Sequence, residues 1–132
     1  MTYDRVAAFV NPKQILVVTQ GKYLALISQQ LPMLDTNQII LEPQRKNTAP
    51  AITLAAFYIR TLDPHSNMLV VSSDQIIMDT EAFTKAMERA ISYISAHRDI
   101  MVFGIKPTRP DTGYGYLQLA GEKENGIFAL KA

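Results

Sequence analysis

The chain contains no cysteine. Disulfides, thiolate metal sites and cysteine nucleophiles are therefore excluded, which is compatible with a reducing compartment. It has no long apolar run either. Its hydrophobic stretches are too short and too interrupted to span a bilayer, and the opening Met1-Thr2-Tyr3-Asp4-Arg5-Val6 carries an acid where a signal peptide needs none. The expectation is a cytoplasmic protein with no membrane partner. Charge of one sign is also missing: 13 basic and 12 acidic residues leave a net charge of +1. With no basic stripe to follow a phosphate backbone, nucleic acid is not an expected partner. Glycine is scarce and scattered, six residues in all, with no Gly-rich phosphate loop. What is present suits one globular domain over 1–132. The 48% hydrophobic content supports a core, and 19% charged residues are too few for disorder.

Apolar periodicity alternates between two patterns. Residues 14–19 are a short β-branched run of the kind buried in a parallel sheet. Residues 22–31 place Tyr23, Leu24, Leu26, Ile27 and Leu31 at helical spacing before Pro32. A strand is predicted at 39–41, a helix at 50–62 with Ile52, Ala55, Ala56 and Ile59 on one face, and a third strand at 68–71. A long helix follows at 81–96, bearing Phe83, Met87, Ala90, Ile91 and Ile94, then a fourth strand at 100–105. Strand and helix in alternation call for parallel strands joined by helical crossovers. Beyond a Pro-containing loop, 113–119 alternates like a half-exposed strand, with 127–130 as its antiparallel partner across 121–126. Residues 3–10 read as the last turns of a helix, so the chain starts late for a doubly wound domain.

Three segments carry candidate chemistry. In Leu41-Glu42-Pro43-Gln44-Arg45-Lys46-Asn47-Thr48-Ala49-Pro50 a strand ends and a basic, amide-rich loop leads into a helix with Pro50 in its first turn. Asn47 or Thr48 is placed to accept backbone N–H groups there, so the segment reads either as a well-capped helix or as a site for an anion or polar heterocycle. In Val70-Val71-Ser72-Ser73-Asp74-Gln75, Asp74 sits at the carboxyl end of a predicted strand. It either closes a turn or serves Mg²⁺, which takes one or two carboxylates plus phosphate oxygens. In Phe103-Gly104-Ile105-Lys106-Pro107-Thr108-Arg109-Pro110-Asp111-Thr112-Gly113-Tyr114-Gly115-Tyr116, two glycines flank a tyrosine. They form a plain turn or let a ligand approach the backbone closely. His65 and His97 read as surface residues with no metal-pair spacing, and Glu88 and Arg89 as a solvated helix face.

Taken in order, these motifs resemble the mannose-1-phosphate guanylyltransferase family: a Glu-Pro element, Asn-Thr-Ala-Pro-Ala, a strand ending in Asp, then Phe-Gly-Ile-x-Pro-Thr-Arg-Pro-x-Thr-Gly-Tyr-Gly-Tyr. The resemblance implies a Rossmann-like three-layer α/β sandwich of the nucleotide-diphospho-sugar transferase type. It implies a reaction in which mannose 1-phosphate attacks the α-phosphorus of GTP, giving GDP-mannose and pyrophosphate with Mg²⁺ as cofactor. Carried over by position, Asn47, Thr48 and Ala49 lie by the guanine, Glu42, Pro43 and Lys46 belong to that loop, and Asp74 helps hold the metal. Gly113, Tyr114 and Gly115 line the mannose side, with Arg109 anchoring their loop. Lys46 stands where the family commonly has Arg, and Ser72-Ser73-Asp74-Gln75 where it commonly has Pro-Ala-Asp-His, so the role of that His is not carried over.

Nothing in the chain matches the family's Gly-rich loop and Arg-Leu-Trp-Pro segment with its catalytic Lys, and no later Glu-Lys-Pro element is present. The resemblance therefore implies a partial domain without its opening strand, inactive alone. The alternative is a non-catalytic domain that binds nucleotide or sugar phosphate. In the family's sheet the opening strand lies between the equivalents of 14–19 and 68–73. Those two runs must then pair with each other or be covered by a second copy, and a homo-oligomer is expected.

Overall fold

The computed structural model describes residues 1–131, which fall into two compact units, Met1–Arg98 and the remainder from Asp99. The first unit holds α1 (Thr2–Ala7), β1 (Val17–Gln20), α2 (Leu24–Gln30), β2 (Ile39–Glu42), α3 (Thr48–Leu62) and α4 (Thr80–Ala96). The second holds a hairpin of β3 (Leu119–Glu124) and β4 (Ile127–Leu130). This is a mixed α/β protein with a small parallel sheet. No helix among the described residues is long and apolar enough to cross a membrane.

β1 and β2 pair in parallel, with Val17 opposite Ile39 and Gln20 opposite Glu42. A buried amide aligns them. Gln38 is 5% exposed, and its Nε2 donates to the carbonyls of both Pro12 and Ile15 at 2.7 Å. Its Oε1 accepts from the Asp35 N–H at 3.0 Å. The chain segments leading into the two strands are thus stapled together just before the ladder begins. α3 then packs back on β2, and its Tyr58 hydroxyl donates to the Asn37 carbonyl at 2.8 Å.

Two helix ends follow local rules. The Asp79 carboxylate caps α4 by accepting from Ala82 N–H at 2.9 Å. After α3, Asp63 accepts from the His65 N–H and the Ser66 hydroxyl. Those two bonds, the backbone one foremost, hold its carboxyl below the usual carboxylate range. The core is small: Val6, Ile40, Ala55, Met87, Ala90 and Tyr93 are buried. α4 buries Met87, Ala90 and Tyr93, so its inner face is turned slightly from the predicted one, and Ile91 is exposed. On α3 Ala55 is buried, Ile52 and Ile59 are half-buried, and Ala56 is exposed.

Three strand expectations are not met. Residues 68–71 and 100–105 lie outside any strand, and the parallel sheet has two strands rather than four. A strand exists by pairing, and among the described residues nothing ladders with either segment. Neither do 14–19 and 68–73 close up on each other, since β1 ladders only with β2. The final hairpin is also shifted. Its first strand is Leu119–Glu124, not 113–119, because Asn125 and Gly126 both take positive φ (45° and 79°), as a two-residue type I′ turn demands.

The accessible surface is 10514 Å². Two independently compact bodies of these sizes would expose roughly 8,200 Å² in total. Large apolar side chains lie on that surface: Ile76 is 85% exposed, Met78 90% and Ile100 98%.

Replacing Gln38 with Leu removes three hydrogen bonds, while Pro12 O keeps its bond from Ile15 N–H. A loss of about 2–4 kcal/mol is expected, read as a fall in the urea midpoint. An unchanged midpoint contradicts the stapling role.

Candidate functional site

The first group of predicted residues lies where the chain leaves the carboxyl edge of the parallel pair, the edge at which α/β sheets bind ligands. Glu42 closes β2 opposite Gln20 and is half-buried, while Pro43 and everything from there to Pro50 are exposed. Asn47 precedes α3 with φ 66° and ψ −168°. That region is essentially reserved for glycine and costs about 1–3 kcal/mol. The Asn47 side chain makes no capping bond, and Thr48 is itself the first helical residue. The expectation that one of them accepts a backbone N–H is therefore not met: the backbone that would aim the Asn47 amide at the helix is in the wrong conformation. Pro50 stands in the first turn as expected. Among the described residues neither Arg45 nor Lys46 has an ion-pair partner. The loop thus combines open helix N–H groups, an unused amide and two free cations, which suits an anion or a hydrogen-bonding heterocycle.

Asp74 follows residues 66–72, which lie in no helix or strand. Its carboxylate is exposed and has no hydrogen-bond or ion-pair partner among the described residues. The carbonyls on either side are committed: Ser73 O accepts from Thr2 Oγ1 at 3.0 Å, and Gln75 O from Arg5 Nη2 at 3.3 Å. No group of three His, Asp or Glu residues able to hold a metal occurs among the described residues. One free, hard oxygen donor fits Mg²⁺ bound largely through waters and substrate phosphates, and does not fit an all-protein metal cage.

The third group belongs to the second unit and is organised by a residue that sequence reasoning passed over. Asp111 Oδ1 accepts from Gly113 N–H at 2.9 Å, and Oδ2 pairs with Arg109 at 3.4 Å. Tyr116 closes the loop from the other side: its hydroxyl accepts from Asp111 N–H at 2.7 Å and donates to Asp111 O at 3.0 Å. The Pro-Asp-x-Gly pattern was the available signal, since Asp side chains bond the backbone two residues on. Pro107, Thr108, Arg109, Pro110 and Tyr116 line a shallow hollow of about 400 Å³, whereas Gly113, Tyr114 and Gly115 do not line it. A larger hollow of about 530 Å³ lies on α4 against Ala82, Lys85, Glu88 and Arg89. It holds none of the predicted residues and reads as a solvated helix face, with Lys85 paired to Glu81 one turn away.

Arg109 and Gly113 are brought together through Asp111. Within the first unit, no hydrogen bond or ion pair joins the 42–49 loop to Asp74.

Residues 1–129 match the nucleotidyl transferase family. Similar proteins include the mannose-1-phosphate guanylyltransferase of Escherichia coli K12, 39% identical over 123 residues covering 87% of this chain and 26% of that protein. The mannose-1-phosphate guanylyltransferase RfbM of Salmonella typhimurium LT2 is 39% identical over 133 residues, 98% of this chain and 27% of its own. That of Salmonella montevideo is 38% identical over 111 residues, 83% of this chain and 23% of its own. The chain spans about a quarter of the length of these relatives.

The two loop glycines are expected to differ. A Cβ on Gly113 would sit 3.2 Å from Asp111 Oδ1, while one on Gly115 meets nothing within 4 Å. Gly113→Ala should therefore shift the amide resonances of Asp111 and Tyr116, and Gly115→Ala should leave them in place. The reverse pattern would remove Asp111 as organiser of the loop.

Proposed function

The chain belongs to the nucleotidyl transferase family, and on that premise we propose that residues 1–132 form one partial mannose-1-phosphate guanylyltransferase domain of the Rossmann-like three-layer type. The parent reaction joins mannose 1-phosphate to GTP, releasing pyrophosphate and GDP-mannose, in the cytoplasm. The observation that carries this reading is 39% identity to a guanylyltransferase across 98% of the chain, with the base-side and sugar-side motifs in order.

In this reading the open start of α3, with Asn47, Thr48 and Ala49, receives the guanine, beside Glu42, Pro43 and Lys46. The strain at Asn47 supports it, because strained backbone persists where the surroundings over-determine it and clusters at ligand clamps. Gly113, Tyr114 and Gly115 meet the mannose hydroxyls, on a loop held by Asp111 and Arg109. Mg²⁺, held by Asp74 with phosphate oxygens, supplies charge neutralisation during displacement at the α-phosphorus. The protein's share is positioning, with each surface holding its own part of the substrates.

A phosphate cradle is not among these parts, so the chain by itself is a binding surface rather than a catalyst. Losing one transition-state donor costs about a hundredfold to a thousandfold, and a whole Gly-rich loop with its Lys should cost more. No pyrophosphate release above background is expected from the purified chain, while calorimetric titration with GDP-mannose and Mg²⁺ should show binding. Turnover, or no binding at millimolar ligand, would contradict this reading.

The chain should also associate. Its exposed surface exceeds that of compact bodies by more than the roughly 800 Å² each partner buries in a standard interface. β1 also keeps one edge without a ladder among the described residues. A homodimer or larger assembly through the β1 edge and residues 68–73 is expected. Light scattering showing a monodisperse monomer at tens of micromolar, roughly where modest association becomes visible, would exclude it.

A further inference from the structure

We propose that Arg5 and Thr2 are positioning residues that hold the Asp74 carboxylate out towards the metal. The proposal rests on the reading of Asp74 as the Mg²⁺ carboxylate and adds the device that orients it.

The arrangement is a two-armed bracket. Arg5 Nη2 donates to Gln75 O at 3.3 Å and to Thr2 Oγ1 at 3.2 Å. That second bond occupies a lone pair of the Thr2 hydroxyl, whose proton goes to Ser73 O at 3.0 Å. The carbonyl before Asp74 and the carbonyl after it are thus both drawn onto one face of α1, across about seventy residues of sequence. Two fixed carbonyls two residues apart, on either side of Asp74, leave the intervening peptide units little freedom, while the Asp74 side chain stays exposed and unpartnered.

Arg5 is held as firmly as the loop it holds. Its guanidinium lies 5.3 Å from the Phe83 ring centroid, and Phe83 packs edge-on against Phe9 at 6.1 Å. The Arg5 Nε is buried without a hydrogen-bond partner. A group desolvated at such cost is poorly explained as a surface tether, because water would satisfy it better. The same group serves a fixed orientation: Nη2 alone reaches one carbonyl directly and the other through Thr2, at the end of a guanidinium that lies over the Phe83 ring.

The test uses Mn²⁺ as a paramagnetic stand-in for Mg²⁺ and follows amide line broadening in ¹⁵N–¹H spectra of the whole chain. Broadening should centre on Ser73, Asp74 and Gln75 and vanish in Asp74→Asn. Thr2→Val and Arg5→Met should raise the half-broadening Mn²⁺ concentration roughly fivefold or more, as when the competent conformer falls to a fifth of the population. Arg5→Lys should lie between. Unshifted half-broadening in both Thr2→Val and Arg5→Met overturns the proposal. If Arg5→Met unfolds, judged by the α4 amides, Thr2→Val decides alone, since it removes one hydroxyl and no charge. If the unaltered chain shows no broadening at Asp74, the metal reading falls by itself. Backbone order parameters of residues 73–76 then judge the bracket: a fall in Thr2→Val supports it, and unchanged values sink it.

Discussion

The Gln38 amide is the contact on which the first unit depends. Parallel strands cannot be aligned by a tight turn, so something beyond the ladder has to fix their register. Here one buried side chain takes both carbonyls leading into β1 and ends one residue before β2 begins. A slip of one residue would send every β2 side chain to the opposite face. It would also move Glu42 and the loop after it, because that loop begins where the ladder stops. The start of α3, the strain at Asn47 and the exposed cations all inherit their place from this alignment.

What the alignment does not do is build a full sheet. A parallel sheet is normally covered on both faces, yet no residue of β1 is fully buried. The run at 68–71 has strand composition and no strand partner. Sequence composition reports what a segment can bury; pairing reports what stands beside it. That distinction explains why the elements with their own internal hydrogen bonds, the helices, form as expected while two of the four parallel strands do not. The exposed Ile76, Met78 and Ile100 belong to the same account: they are core residues by type without a core to enter.

Much of the fold was legible because its signals are local. Pro50 and the apolar spacing of Ile52, Ala55 and Ile59 set α3, and the spacing of Met87 and Ala90 marks α4. The Asn125-Gly126 turn was equally local, but the alternation of 113–119 drew the strand too early. The site was legible as segments and not as geometry. Asn47 was identified for its side chain, whereas its backbone conformation is the distinctive feature, and no propensity argument places a non-glycine residue there. Arg5 could not be found at all from the chain order: its importance arises from carbonyls about seventy positions away. Asp111 was within reach, since Pro-Asp-Thr-Gly is a turn pattern, but its neighbours Gly113 and Gly115 drew the reading instead.

The central claim, proposed above, is that the exposed surface at 42–49 receives the guanine of GDP-mannose. Amide chemical-shift mapping with GDP-mannose and Mg²⁺ tests it most directly. GDP-mannose should move the 42–49 resonances along a saturation curve, and ADP-mannose should move them far less. Unmoved 42–49 resonances, or equal shifts with the adenine nucleotide, would contradict it.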